Sequence, residues 1–394
     1  MGKFQWNRSN IDLSILKKRA FNLRWAEVDE GVLPLTAADP DFKSAPEIRK
    51  ALVDYINDGY FCYTPKLGYP SFRKAISTAI KKRKNENVSP DRILPIDSAA
   101  RGMDIIACSF LKKGDEAIIF DPVDFLFKTS VRYAGAKEIL FPCRLDEEGY
   151  IDLKNLESYV SKKTKMICLC NPHNPLGVCY REKDLKRILD IANRYDLYIM
   201  NDEIWSDIVY RDAKFISLLN FPDQLNQKTI TVTGFSKSFG LAGLRIGALY
   251  CDNDELFNQL IETSKVLTTV GGISSLSQIA GEAAMEHCYY WVDEFVQYLQ
   301  DNRDYAFERI NSIPRLHCNK PQATYVLYID IKDTGISADK FVDIMKEKAK
   351  LSLVPGSDEF FGPQSAGHVR LCFATSREIL KEGLDRLEKG MSMI

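Results

Sequence analysis

Through its middle the chain alternates short runs rich in β-branched residues with longer stretches in which apolar positions recur every three or four residues. The short runs predict strands at residues 117–120, 166–170, 197–200, 229–233 and 247–251. Between two of them, EKDLKRILDIANRYD (182–196) sets apolar residues on one helical face and charges on the other. Nearer the front, SAPEIRKALVDYINDG predicts a helix with Ser44 and Glu47 spaced as a capping box, Pro46 in the first turn and Gly59 as the stop. Strands separated by helices in this way are the mark of βαβ units and of a mostly parallel sheet.

The last hundred or so residues change character. A long helical stretch at 289–313 is followed by TYVLYIDI (324–331), a helix at 338–348, a strand around 369–373 and a closing helix from Arg377. That mixture predicts a smaller α+β domain beside the α/β one. A chain of 394 residues also exceeds the length at which one hydrophobic core usually keeps growing. The expected division is an N-terminal arm contributing to the small domain (1–45), a large domain (46–284) and a C-terminal small domain (285–394), with the boundary at the long helix near Ala284. No internal repeat or low-complexity linker interrupts the chain.

Composition narrows the partners. Hydrophobic residues make up 45% and charged residues 27%, as in ordinary globular proteins. Basic and acidic side chains nearly cancel, 53 against 54, so no excess charge is available to hold a phosphate backbone or an anionic membrane. Neither nucleic acid nor a membrane is expected as a partner. No apolar run approaches the roughly 20 residues that span a bilayer, and the first twenty residues lack the apolar core of a signal peptide. The expected location is the cytoplasm. Ten scattered cysteines, Cys168 and Cys170 inside one apolar run, read as small core residues in a reducing compartment. No metal is expected, because there is no C-x-x-C and the four histidines show no ligand spacing.

Candidate chemistry gathers where the predicted strands stop. DSAARG (97–102), DPVDFLF (121–127), NPHNPLG (171–177), NDEIWSD (201–207) and GFSKSFGLAGLRIG (234–247) each begin there. In an open α/β sheet, ligands bind outside the carboxyl ends of the strands, so these stretches should meet on one rim. A lysine held near neutral groups loses its proton and forms an imine with an aldehyde. A buried carboxylate can keep a ring nitrogen protonated and make the ring an electron sink. An arginine and the amides of a helix N-terminus can hold a phosphate. Taken singly each residue has an ordinary reading: Lys237 and Arg245 as solvated surface groups, Asp202 as a helix cap, Asn171 and Asn174 as turn residues, Tyr63 as a half-buried core aromatic. Together they describe a site for pyridoxal 5'-phosphate.

The order and separation of NPHNPLG, the DE pair and SKSFGLAGLRIG resemble fold-type I pyridoxal-phosphate enzymes, in particular class I/II aminotransferases and the related carbon-sulfur β-lyases, over about residues 33–387. The resemblance implies that Lys237 carries the cofactor in imine linkage and Asp202 pairs with the pyridine nitrogen. It implies that Asn174 meets the phenolic oxygen and substrate, and that Arg245 binds the phosphate with the backbone around Ala99, Ala100 and Arg101 and with Ser236 beside the lysine. Arg370, in HVRLCFATS, matches the arginine that grips the substrate carboxylate, and Ala38, in AADPDF, would lie against substrate. Tyr63 matches the tyrosine that reaches the phosphate of the neighbouring subunit, which implies a homodimer with shared sites.

Some positions depart from that pattern. Asp124 stands where an aromatic residue commonly stacks on the ring, leaving Phe125 or Phe127 to supply the stack. Trp205 replaces the tyrosine of transaminases and the histidine of the β-lyases. Gly234 takes the place of a common phosphate-binding serine, and no second substrate arginine can be placed. The expected reaction is amino-group transfer between an L-amino acid and a 2-oxo acid. The alternatives are a cystathionine β-lyase-like carbon-sulfur cleavage or a specialised biosynthetic or oxidative reaction on the same fold. A nucleotide-binding Rossmann sheet would require G-x-G-x-x-G straight after a strand, which GLAGLRIG does not provide. A catalytically silent relative would be expected to have lost the lysine.

Overall fold

The structure is a computed structural model and describes residues 4–268 and 270–394. Its strands, in chain order, are β1 (Leu33–Pro34), β2 (Ile93–Ile96), β3 (Glu116–Asp121), β4 (Lys137–Pro142), β5 (Thr164–Cys170), β6 (Tyr198–Asp202), β7 (Thr229–Gly234), β8 (Gly247–Tyr250), β9 (His317–Cys318), β10 (Val326–Asp330), β11 (Leu351–Ser352), β12 (Val354–Pro355) and β13 (His368–Cys372). β2 to β8 form a seven-stranded sheet in the order β2-β8-β7-β6-β5-β3-β4. β4, β3, β5, β6 and β7 are parallel, and β8 runs against both of its neighbours. The expected mostly parallel sheet is therefore present.

The inner strands are buried on both faces, with every residue of β6 but the first inaccessible and all of β8 inaccessible. One apolar cluster runs from this sheet into the C-terminal elements. A second lies under the helix Glu182–Arg194, whose Leu185, Ile188, Leu189 and Ala192 pack on Ile118, Ile167 and Leu169. Cys168 and Cys170 are buried in β5, as their apolar run predicts.

The C-terminal part carries an antiparallel sheet, β12-β13-β10-β9, beside the helices Ala338–Ala349 and Arg377–Met391. β1 pairs in parallel with β11, so the N-terminal arm is fastened to this part of the chain. The long helix begins at Tyr289, and Ala284 belongs to the preceding helix, Ser275–His287. The residue expected to mark the boundary therefore lies one helix earlier than the long one, and Cys288 lies between the two helices.

The capping box at Ser44 and Glu47 is also corrected. The helix Pro46–Asp58 has Ala45 at its N-cap and no side-chain cap bond. Pro46 has no N–H to satisfy, and the Glu47 carboxylate accepts instead from the Tyr290 hydroxyl at 2.9 Å. Gly59 ends that helix in the left-handed region, as expected.

Candidate active site

Five strand ends open onto one cavity with about 150 Å3 of room for a water-sized sphere to move, a concave site of the kind that takes a small molecule. From the strand side it is lined by Ala99, Asp124, Phe125, Asn174, Asp202, Trp205 and Lys237. Ala37 and Ala38 come from the arm, and Val354, Phe360, Phe361 and Arg370 from the C-terminal part.

Local structure explains each placement. Lys237 sits in the short helix Ser236–Phe239 directly after β7, and Gly240 closes that turn at φ 67°. Its Nζ donates to the Ala38 carbonyl at 2.6 Å and lies 5.3 Å from the centre of the Trp205 ring. The Tyr325 hydroxyl donates to the same carbonyl at 3.2 Å. Burial drives the Lys237 pKa down, against Asp39, which raises it, and with Arg370, which lowers it further. The amine is thereby brought toward the neutral, nucleophilic form.

Asp202 ends β6 and is 3% exposed. Burial pushes its carboxyl up to about 7, opposed by the Ile204 N–H at 3.0 Å and reinforced by the charges of Asp124 and Glu203. It makes no ion pair among the described residues. Arg370, in β13, donates to Asn174 Oδ1 and to the Thr36 carbonyl, both at 3.4 Å, and its Nε has no partner. Burial lowers its pKa from the usual guanidinium value, and it makes no ion pair among the described residues. Its guanidinium carbon stands 4.9 Å from the centre of the Phe361 ring.

Neighbouring groups hold this frame. His173 is fully buried, and burial takes its pKa to about 4. The neutral ring donates from Nε2 to the Pro122 carbonyl at 2.8 Å and accepts at Nδ1 from the Tyr180 hydroxyl at 3.2 Å, tying the turn after β5 to the turn after β3. The segment after β3 is laced to the 357–362 loop, with Val123 N–H donating to Phe361 O at 2.9 Å and Phe125 N–H to Phe360 O at 3.1 Å. Gly362 has φ 102°, and a Cβ there would fall 2.1 Å from Asp121 Oδ1, so only glycine lets this loop close on the end of β3.

Not every expected site residue meets the cavity. Ala100, Arg101, Ser236, Arg245 and Tyr63 do not line it. Arg245 is exposed, with φ 53°, and Tyr63 is 95% exposed. The amides near Ala99 do open the helix Ala99–Phe110, whose N-cap Ser98 accepts from Arg101 N–H at 3.2 Å. Of the two aromatics considered for stacking, Phe125 reaches the cavity and Phe127 is buried in the core. Arg24 pairs with Asp41 and donates to the Ala37 carbonyl at 2.9 Å, so it shapes the arm and does not line the cavity. Asn22, Leu23, Phe360 and Phe361 line the cavity without having been singled out from the sequence. Asn22 and Leu23 share a turn at φ 65° and 64°; asparagine favours that region among non-glycine residues, whereas leucine carries no signal for it.

With this geometry in view, the description of the family "aminotransferase class I and II" matches residues 30–387. The chain belongs to that family. It is similar to an aspartate aminotransferase of Pyrococcus horikoshii, 30% identical over 92% of this chain and 91% of the relative. Among solved structures, an aromatic aminotransferase of the same organism superposes with a TM-score of 0.86 at 27% identity, covering 97% of this chain and 99% of that one. Cystalysin from Treponema denticola, which contains a pyridoxal 5'-phosphate cofactor, shares the fold with a TM-score of 0.90 at 24% identity over 99% of both chains. The class I/II aminotransferase described here is a fold-type I enzyme of amino-group transfer with pyridoxal 5'-phosphate as its cofactor. The cavity suits that group: a buried carboxyl without a cationic partner, a lysine driven toward its neutral form, and a guanidinium with an unpartnered nitrogen share it.

Proposed function

We propose that this enzyme moves an amino group between an L-amino acid and a 2-oxo acid, with Lys237, Asp202, Asn174 and Arg370 as its working residues. The observation that carries the reading is the meeting of those four side chains, from three strand ends and β13, in one cavity. When bound, pyridoxal phosphate supplies an electron sink for the charge left as the substrate Cα loses its proton.

Each residue has a share. Asp202 would hold a proton on the pyridine nitrogen, and that pairing would give its buried carboxyl the partner it lacks among the described residues. Asn174 would donate from its amide to the phenolic oxygen. Lys237 Nζ would take the proton from the substrate Cα and hand it on to the cofactor carbon that keeps the amino group, its lowered pKa matching the task. Arg370 receives the α-carboxylate in its two-pronged guanidinium, with Nε unpartnered and Phe361 against its face. Ala38 supports this edge through its carbonyl, which accepts from Lys237 and Tyr325. Phe125 and Trp205 wall the ring. The phosphate would be held by the amides of Ala99, Ala100 and Arg101, by Ser236 and by Arg245. In this reading residues 46–284 carry the cofactor, while residues 1–45 and 285–394 cover the substrate.

The working form is a homodimer with shared sites. Tyr60, Phe61 and Tyr63 stand out from the surface together with Val53 and Ile56 of the preceding helix, and Leu267 and Val270 are exposed as well, the kind of apolar patch that a second copy covers. Tyr63 would then reach the partner's phosphate. No helix among the described residues is long and apolar enough to cross a membrane, and the cytoplasm is the proposed location.

A screen of amino acids with pyruvate and 2-oxoglutarate as acceptors tests the reaction. New amino acid without ammonia is the expected product. Ammonia and pyruvate released from cystathionine, without amino transfer, would replace this reading with the carbon-sulfur lyase.

A further inference from the structure

The cavity is lined by two carboxyl and two basic side chains: Asp124, Asp202, Lys237 and Arg370. The proposed function employs three of them and leaves Asp124. This carboxylate forms no ion pair among the described residues, and one of its oxygens, Oδ1, accepts only the Leu126 N–H, at 3.2 Å. Its charge is nevertheless felt across the cavity, raising Asp202, Lys237 and Arg370 alike.

Asp124 is also held in place. The N–H groups of its neighbours Val123 and Phe125 donate to the Phe361 and Phe360 carbonyls, so the backbone on both sides of Asp124 is fastened to the 357–362 loop. The same cavity has apolar lining, with Leu23, Phe125, Leu126, Val354, Phe360 and Phe361. Such a wall suits an alkyl stem. A carboxylate in a partly dry cavity is costly unless a cation joins it.

We propose that Asp124 is a specificity-determining residue that receives the distal cation of the substrate, so that the preferred amino donors are α-amino acids with a second amino or guanidino group on an alkyl chain. This rests on the proposed function, with Arg370 engaged by the α-carboxylate and Lys237 and Asp202 by the cofactor. The other substrate classes fit less well. A dicarboxylate needs a second cation, and Arg370 is the sole guanidinium lining the cavity among the described residues, Arg24 being paired with Asp41. An aromatic or aliphatic side chain would desolvate Asp124 and give it nothing in return.

The test compares ornithine, lysine and arginine with norleucine, phenylalanine and glutamate, reading both kcat/KM and the dissociation constant from calorimetric titration of the cofactor-loaded enzyme. The cationic donors are expected to exceed norleucine by at least about tenfold in both readings. D124N, which keeps a side-chain acceptor for the Leu126 N–H, is expected to bring that ratio close to one. D124N with the ratio unchanged would show that Asp124 only caps the helix and would overturn the proposal. Equal or better use of norleucine, phenylalanine or glutamate by the wild type would overturn it without any variant, so a poorly folded D124N leaves the question decidable. In either of those cases amino transfer persists and the proposed function stands. If instead no amino acid yields a new amino acid, the proposed function fails, and the titration alone then decides for or against Asp124.

Discussion

Asp202 and Glu203 are neighbours in the chain and belong to two regions that handle buried charge differently. Asp202 opens onto the cavity, where Lys237 and Arg370 are in view and neither is paired with it. Glu203 turns into a sealed cluster. There the Lys84 ammonium donates to Glu203 at 2.7 Å and to the Tyr250 hydroxyl at 2.7 Å, the Tyr250 hydroxyl donates to Glu86 at 2.7 Å, and Asn201 donates to Glu203 at 2.8 Å.

Burial alone would raise both acids of the cluster. For Glu203 burial is the largest single influence, but the Lys84 charge together with hydrogen bonds from Glu86, Lys84 and Asn201 outweighs it, and its pKa falls. Glu86 stays high, at about 8, because burial and the Glu203 charge outweigh Lys84. Lys84 is held protonated by the two acids against its own burial. One ammonium, one carboxylate and one protonated carboxyl leave the cluster neutral. The cavity has no such internal settlement: Asp202, Lys237 and Arg370 are each shifted toward the uncharged form by burial. The difference teaches how to separate a structural network from a binding site. Both regions are polar and dry, but only one leaves its charges for an incoming molecule to pair.

Removing the cation of the sealed cluster should have the largest effect. K84M leaves Glu203 buried without its ammonium and should lower the unfolding free energy by about 3–5 kcal/mol in urea denaturation. The KM of the remaining folded enzyme should hardly move. Next comes D202N, which should lower kcat by roughly 10²–10³-fold, the usual worth of one preorganised electrostatic contact, with little loss of stability. If K84M acted chiefly on kcat, or D202N chiefly on folding, the contrast between the two regions would collapse.

A pH experiment sharpens it. The folded pKa of Glu86 lies above its ordinary 4.5, so its contribution is present in full at low pH and is lost as pH rises toward about 8. E86Q should therefore flatten the fall in stability over that window, by at most about 1.4 kcal/mol per pH unit, when its unfolding curves are set beside those of the wild type. The smallest effect is expected at Tyr63. Y63F should weaken cofactor binding about tenfold, as for one hydrogen bond to a charged group, without changing the melting temperature of the apoenzyme. Unchanged affinity would count against sites shared between subunits.

The inner strands and the rim were legible from the chain because they obey short-range rules. The buried strands are short runs rich in apolar and β-branched residues, and several carry a cavity residue at or within a few positions of their end, as β6 does with Asp202 and β7 with Lys237. Within the seven-stranded sheet the two strands not anticipated, β2 and β4, are its two edges. β2 contains Pro95, which lacks an N–H and is tolerated where one side has no partner strand. β4 begins with Lys137 and Glu138 and is only partly buried, so its pattern is weak. Lys84 lies in KKRKNEN, which reads as a solvated charge run, and nothing local announces that it will be buried against Glu203 from a distant strand end. Phe360 and Phe361 reach the cavity only because Gly362 lets their loop close on Asp121, a tertiary fact without a local signature.

The central claim is that Lys237, at the rim where these strands end, is the residue joined to the cofactor. It is tested most directly by incubating the apoenzyme with pyridoxal 5'-phosphate, reducing with borohydride and locating the pyridoxyl group by peptide mass spectrometry. The account predicts a single modified peptide carrying the group on Lys237, absent from K237A. A group on another lysine, or no adduct on Lys237, would contradict it.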